Sequence, residues 1–269
     1  MASMQKKLII PIAVVLLIIG GVSAYFLTRE NKTDVADTRK QKKKVEEPVN
    51  VIPVAERPYV QISPVADGRN IELLVKSLNK PATSAEYELE YQSGTLLQGA
   101  FGLLELSQVP AKETILLGSC SAGGKCTYHE DVKGGSLKLT FDGAERYAVK
   151  SDWRYFENTA KETAFSSKDA KFQIESKSFA TQPYVVIYNS PGYPEGVEGV
   201  VSESYSLAVS KTITGTATLT IRAEQEGNLQ IMGWNGSEWQ SFESTVDGKM
   251  VSAEVDLMEL YVVKNLLSN

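Results

Sequence analysis

The chain has 269 residues, 42% of them apolar and 23% charged, with a net charge of −5 and a pI near 5.2. That length suggests one or two domains, with enough chain to bury a core without help from metal or several disulfides. The mild acidity excludes the basic stripe of a nucleic-acid binder, so no nucleic-acid partner is expected.

A short tail, residues 1–7, leads into LIIPIAVVLLIIGGVSAYFL at 8–27. About twenty uncharged residues match the hydrocarbon thickness of a bilayer. Lys6 and Lys7 precede the run, and Pro11 falls in its first turn, where a missing amide hydrogen costs little. The spacing predicts a single transmembrane helix with the lipid bilayer as its partner. Val22-Ser23-Ala24 also satisfies the small-residue requirement of signal peptidase. The apolar run continues past that point to Leu27, which favours an uncleaved signal-anchor. No cysteine follows to make a lipoprotein.

Basic residues after the span (Arg29, Lys32, Arg39, Lys40, Lys42, Lys43, Lys44) outnumber those before it, which by positive-inside counting places the body in the cytoplasm. The far flank is mixed with Glu30, Asp34 and Asp37, and a Lys-Lys start followed by an apolar run also opens export signals. The cysteine spacing, discussed below, favours the outside. The expectation is a single-pass protein of the cell membrane with extracytoplasmic domains.

Residues 28–57 are charged, poor in aromatics and close on Pro48 and Pro53, the composition of a flexible stalk. From Tyr59 the apolar period becomes two. Ile71, Leu73 and Val75 share one side, as do Ala85, Tyr87, Leu89 and Tyr91, with Glu86, Glu88 and Glu90 opposite them. Leu137, Leu139 and Phe141 repeat the pattern. Turn pairs such as Asp67-Gly68, Ser93-Gly94, Gly134-Gly135 and Asp142-Gly143 punctuate the strands.

After a polar join the alternation resumes in PYVVIY, SYSLAVS, TATLTIRA, NLQIMGW, MVSAEV and ELYVVK. The fold expected is all-β: two tandem antiparallel β-sandwiches at 58–156 and 172–265, separated by a linker at 157–171.

The only histidine and both cysteines lie in GSCSAGGKCTYHE, as Cys120, Cys126 and His129. Zinc needs three or four ligands at a recognisable spacing; Cys120, Cys126 and His129 could supply three, with Glu130 or Asp131 to close the shell, but Cys-x5-Cys-x2-His lacks the usual spacing. A redox pair needs Cys-x-x-Cys at a helix start. Along one strand, the odd separation of Cys126 from His129 turns their side chains to opposite faces, so no base serves that thiol. Cys120, across the turn, escapes that argument, though nothing else supports it as a nucleophile; the reading that survives best is a disulfide between Cys120 and Cys126, closing a hairpin tipped by Gly123-Gly124. Such a bond belongs to an oxidising compartment.

No catalytic residue, cofactor or metal is expected. A Ser-His-Asp triad would need His129, and no Gly-x-Ser-x-Gly elbow is present. A carboxylate pair for glycoside cleavage remains an alternative that spacing alone does not test. Trp153, Tyr155, Trp234 and Trp239 are either core and cross-strand aromatics or, for Trp153, Trp234 and Trp239, a stacking face for sugars. Asn235-Gly236 places Trp234 and Trp239 on neighbouring strands. Asn31-Lys-Thr and Asn235-Gly-Ser fit the glycosylation pattern, which has meaning only in a eukaryotic secretory route.

Residues 228–263 carry Trp234, Asn235, Gly236, Ser237, Trp239, Val246, Asp247 and Tyr261 in an order that resembles the closing hairpins of bacterial cell-surface β-sandwich proteins. Residues 59–155 more loosely resemble an immunoglobulin- or fibronectin-III-like module. The resemblance implies a surface location and a structural or adhesive role, and transfers no catalytic residue. The function expected is that of a membrane-anchored, extracellular, non-enzymatic binding protein whose partner is a cell-wall polymer, a glycan or a protein. The alternatives are a carbohydrate-binding surface protein using Trp153, Trp234 or Trp239, and a carboxylate-dependent glycoside hydrolase.

Overall fold

A computed structural model describes residues 47–267. The transmembrane span predicted at 8–27, and most of the stalk predicted at 28–57, lie outside the described residues. Among the described residues no helix is long and apolar enough to cross a membrane. Residues from Glu47 onward form one compact unit.

The first half contributes β1 (Tyr59–Pro64), β2 (Asn70–Ser77), β3 (Ser84–Ser93), β4 (Leu96–Glu105), β5 (Ala111–Leu116), β6 (Gly118–Cys120), β7 (Cys126–Tyr128), β8 (Val132–Asp142) and β9 (Tyr147–Glu157). The second contributes β10 (Ala164–Ser166), β11 (Phe172–Glu175), β12 (Tyr184–Ser190), β13 (Ser204–Val209) and β14 (Thr216–Arg222). It closes with β15 (Leu229–Trp234), β16 (Trp239–Phe242), β17 (Thr245–Asp247), β18 (Met250–Asp256) and β19 (Leu260–Asn265). The fold is all-β, and neighbouring strands within each sheet pair antiparallel. The alternating residues do what their period requires: Ala85, Tyr87, Leu89 and Tyr91 are buried along β3, and Ala217, Leu219 and Ile221 along β14.

A nine-stranded sheet, in the order β16-β15-β19-β13-β12-β9-β8-β3-β4, runs through both halves. A three-stranded sheet, β1-β2-β5, shares one core with it, in which Ile62, Leu73, Leu139, Phe141 and Trp153 are buried. A five-stranded sheet, β10-β11-β14-β18-β17, shares a second core containing Phe172, Leu219, Ile231, Val251 and Tyr261. A smaller cluster joins Tyr59 to Tyr193, Val197, Met232, Leu260 and Val262.

The sheet passes between the halves at β9 and β12, where Val186 stands opposite Tyr155 and Tyr188 opposite Trp153. Along β12, Val186 and Tyr188 enter the first core while Val185 and Ile187 enter the second. The sequence separates two sandwiches by a linker at 157–171. In the structure that stretch holds β10, and the two cores meet on opposite faces of a shared strand. A period of two reveals the faces of a strand but not its neighbour, and β12, apolar on both faces, does not alternate.

Two further differences are local. The end of the expected stalk is docked: Val49 bridges Ala148, while Asn50 Nδ2 donates to the Lys150 carbonyl and Asn50 Oδ1 accepts from the Lys150 amide. Gly134-Gly135, expected as a turn, lies inside β8 beside a register shift in β3. Gly134 has φ +89°, and a Cβ on Gly135 would stand 2.2 Å from the Glu90 carbonyl oxygen. The glycines serve a bulge and a close backbone approach rather than a reversal.

Candidate functional site

The strongest surface feature begins with strand order. β4 ends the nine-stranded sheet, so one row of its backbone N–H and C=O groups has no strand partner among the described residues. Its register sets Leu103 opposite Glu86, Phe101 opposite Glu88 and Gly99 opposite Glu90, so these residues share the outward face of the sheet. The glutamates are drawn toward the other side: Glu86 meets Arg146 at 3.6 Å, Glu88 meets Lys138 at 3.6 Å and Glu90 meets Lys150 at 3.9 Å. The β4 row stays apolar and open, with Phe101 86%, Leu97 67% and Leu103 55% exposed.

Protein edges are ordinarily blunted by lysine, proline or a bulge. From Leu96 to Leu104 there is no charge and no proline, and the pairing with β3 runs without a register shift.

A polar cleft of about 400 Å³ lies where β9 and β12 part beyond the Trp153–Tyr188 pair. Asn189 Nδ2 donates to Glu203 Oε2 at 2.7 Å and to Asp169 Oδ2 at 3.5 Å. Lys171 Nζ stands 2.9 Å from Glu203 Oε1 and 3.6 Å from Asp169 Oδ2. Burial alone would raise the Asp169 carboxyl. Hydrogen bonds from the Ser167 hydroxyl, the Lys171 amide and the Tyr205 hydroxyl, with the Lys171 charge, outweigh it and hold Asp169 below its ordinary value. The hydrogen bond to Glu203 raises Lys171. A glycosidase acid needs a raised carboxyl; Asp169 is tuned the other way.

The sequence-predicted site residues are dispersed. Trp153 is fully buried in the first core, its indole donating to the Glu90 carbonyl at 3.3 Å and set against Tyr91 and Tyr155. It has no open face on which a ligand can stack. Trp234 and Trp239 stand opposite one another on β15 and β16 with ring centroids 5.5 Å apart, as the Asn235-Gly236 turn implies. Trp239 donates to the Glu195 carbonyl at 3.0 Å and meets Tyr193 edge-on, and both indoles pack on the small third cluster. The pair therefore serves internal packing at least in part.

Cys120 and Cys126 form a disulfide across the β6–β7 hairpin, where they are directly opposed. His129 Nδ1 is hydrogen-bonded to the Tyr91 hydroxyl at 2.8 Å, and its amide donates to the Leu117 carbonyl. Among the described residues no group of three or more His, Cys, Asp or Glu side chains is placed to hold a metal.

Comparison with protein-family models, curated proteins and solved structures returns no match to this chain.

Sequence reasoning missed the β4 row and the cleft. The first had a signal: a strand uncharged from Leu96 to Leu104, beside one that alternates Glu with apolar residues. The second had none, because Arg57, Asp169, Asn189 and Glu203 come from four separate segments.

Proposed function

We propose that this chain is a membrane-anchored, extracytoplasmic, non-enzymatic structural or adhesion-type protein that joins to a second copy of itself through the open edge of β4. The observation that carries the reading is Phe101, 86% exposed in the middle of an edge strand uncharged from Leu96 to Leu104. An edge of this kind adds a strand readily, because main-chain hydrogen bonds supply affinity and alternate side chains supply specificity.

The β4 sequence is self-complementary in one antiparallel register. With Ala100 opposite Ala100 of the second copy, Phe101 falls opposite Gly99 and Leu97 opposite Leu103, on the outward face of the joined sheet. Gln98 then meets Gly102, and Leu96 meets Leu104, on the other face. An aromatic ring laid over a cross-strand glycine covers the gap that glycine leaves. A shift by one residue would set each apolar row against the wrong face. One strand a side makes a small interface, below about 1,200 Å² and thus in the weak or transient class. Two-dimensional confinement by an anchor at 8–27 would raise its occupancy.

Sedimentation of the full chain in detergent tests this. A monomer–dimer equilibrium is expected in wild type and its loss in Phe101→Lys, whose exposed position leaves folding intact. The two native cysteines are bonded to each other, so Ala100→Cys introduces one free thiol, and oxidation should yield a covalent dimer. A wild type that stays monomeric at high concentration, with no cross-linked Ala100→Cys, overturns the reading.

A further inference from the structure

We infer that Asn235 and Gly236 form a self-modifying site, at which the Asn235 side chain closes onto the Gly236 nitrogen and then opens with water to aspartate or isoaspartate. This stands apart from the β4 edge and does not depend on it. Asn-Gly occurs once in the chain. The Cγ of an asparagine and the amide nitrogen of the next residue close a small ring, so no distant element has to bring the reacting atoms together. Glycine at 236 leaves that approach free of a side chain.

The β15–β16 turn adds what the reaction needs. Asn235 Oδ1 accepts from the Ser237 amide at 2.9 Å, the Ser237 hydroxyl at 2.9 Å and the Glu238 amide at 3.0 Å. Three donors on one oxygen polarise the carboxamide and stand ready for the negative charge that develops when Cγ is attacked, as in an oxyanion hole. Neither Asn235 Nδ2 nor the Gly236 amide nitrogen has a hydrogen-bond partner among the described residues. Leaving group and nucleophile are thus both uncommitted, and Asn235 is exposed, so released ammonia passes straight to solvent. A base stands beside them: a Cβ on Gly236 would lie 3.4 Å from Glu259 Oε1. The Tyr59 hydroxyl and Lys76 Nζ both donate to the other oxygen, Oε2, at 3.4 and 3.1 Å. They fix the carboxylate and leave Oε1 without a partner among the described residues.

Glu259 Oε1 takes the Gly236 amide proton, and the nitrogen lone pair forms a bond to Asn235 Cγ. The Cγ–Nδ2 bond breaks, and Nδ2 leaves with that proton as ammonia. The product is a succinimide, which water opens. Cleavage at Cγ gives aspartate; cleavage at the main-chain carbonyl carbon gives isoaspartate. The step is a hydrolysis overall, with no change of oxidation state. Either product sets a new carboxylate beside Glu238, and isoaspartate lengthens the backbone between Trp234 and Trp239, which face each other across this turn.

The test is incubation of the full chain in detergent at neutral pH, followed by peptide mapping that separates asparagine, aspartate and isoaspartate at position 235. The same chain unfolded in urea gives the rate that the dipeptide has by itself. Isoaspartate, which only the succinimide route produces, is expected to accumulate faster in the native chain than in the unfolded one. Ser237→Ala removes one donor at an exposed residue and should slow the native rate about fivefold, the scale of one neutral hydrogen bond. Glu259→Gln should slow it at least about tenfold, because solvent remains as a poorer base. Neither substitution should alter the rate in urea, and the melting temperature of each variant shows that it folds. An Asn235 that persists in the native chain, or reacts no faster there than in urea, overturns the inference. A native rate that neither substitution changes overturns it as well, leaving the dipeptide alone as the cause.

Discussion

Leu139→Ala and Leu219→Ala should lower one and the same unfolding transition. Both leucines are 0% exposed, the first in the core under β1-β2-β5 and the second in the core under the five-stranded sheet. Truncating such a leucine costs about 2.7–5 kcal/mol, the transfer free energy of the lost atoms plus the cavity they leave. The low end of that range, ~3 kcal/mol, is taken as the least expected for each. In a unit of this size one kcal/mol moves the midpoint by about 2–4 °C, so each variant should melt roughly 6–12 °C below wild type.

The two cores occupy opposite faces of β12, with Val186 and Tyr188 on one and Val185 and Ile187 on the other. Melting one core strips a wall from the other, and the unit should unfold in one cooperative step. Scanning calorimetry is the assay. A single endotherm should move in both variants, with nearly additive effects in the double variant because the sites share no partner. Two endotherms, each moved by only one of the substitutions, would refute the reasoning.

Removing the Cys120–Cys126 bond by a double serine substitution should cost about 2 kcal/mol on the loop-entropy model, with faster amide exchange confined to β6 and β7 by hydrogen-exchange mass spectrometry. Gly135→Ala forces a Cβ into the Glu90 carbonyl and should destabilise by roughly 1–3 kcal/mol. Gly99→Ala, whose Cβ would sit 3.5 Å from the Leu89 carbonyl oxygen, should change the urea midpoint hardly at all. Asp169 is held below its ordinary value near 3.8, so its contribution is full above that pH and is lost as pH falls through the lower folded value. Urea midpoints between pH 5 and pH 2 should therefore fall more steeply in wild type than in Asp169→Asn.

What the sequence made legible were the strands with one wet face. β2, β3, β8 and β14 alternate, and alternation follows directly from burial on one side. The disulfide was legible because a glycine-tipped turn sets Cys120 and Cys126 face to face with no distant residue involved. The Trp234–Trp239 pair was legible for the same local reason. The shared sheet was not, because it depends on which strand β9 meets, and the partner lies beyond the polar join. Gly134-Gly135 misled because a glycine pair that permits a turn equally permits a bulge. The exposure of Phe101 and Leu103 was not legible, because it follows from the register that sets them beside Glu88 and Glu86 on the open face of the sheet.

The two-sided strand also sets a timetable for synthesis. When Glu157 has left the ribosome, every strand from β1 to β9 is present, yet the wall that Val186 and Tyr188 complete is missing. Closure must wait until those residues emerge. A nascent chain stalled in that interval would carry a half-covered apolar layer and a bare β9 flank, so fragments cut at the polar join should be poor candidates for separate expression.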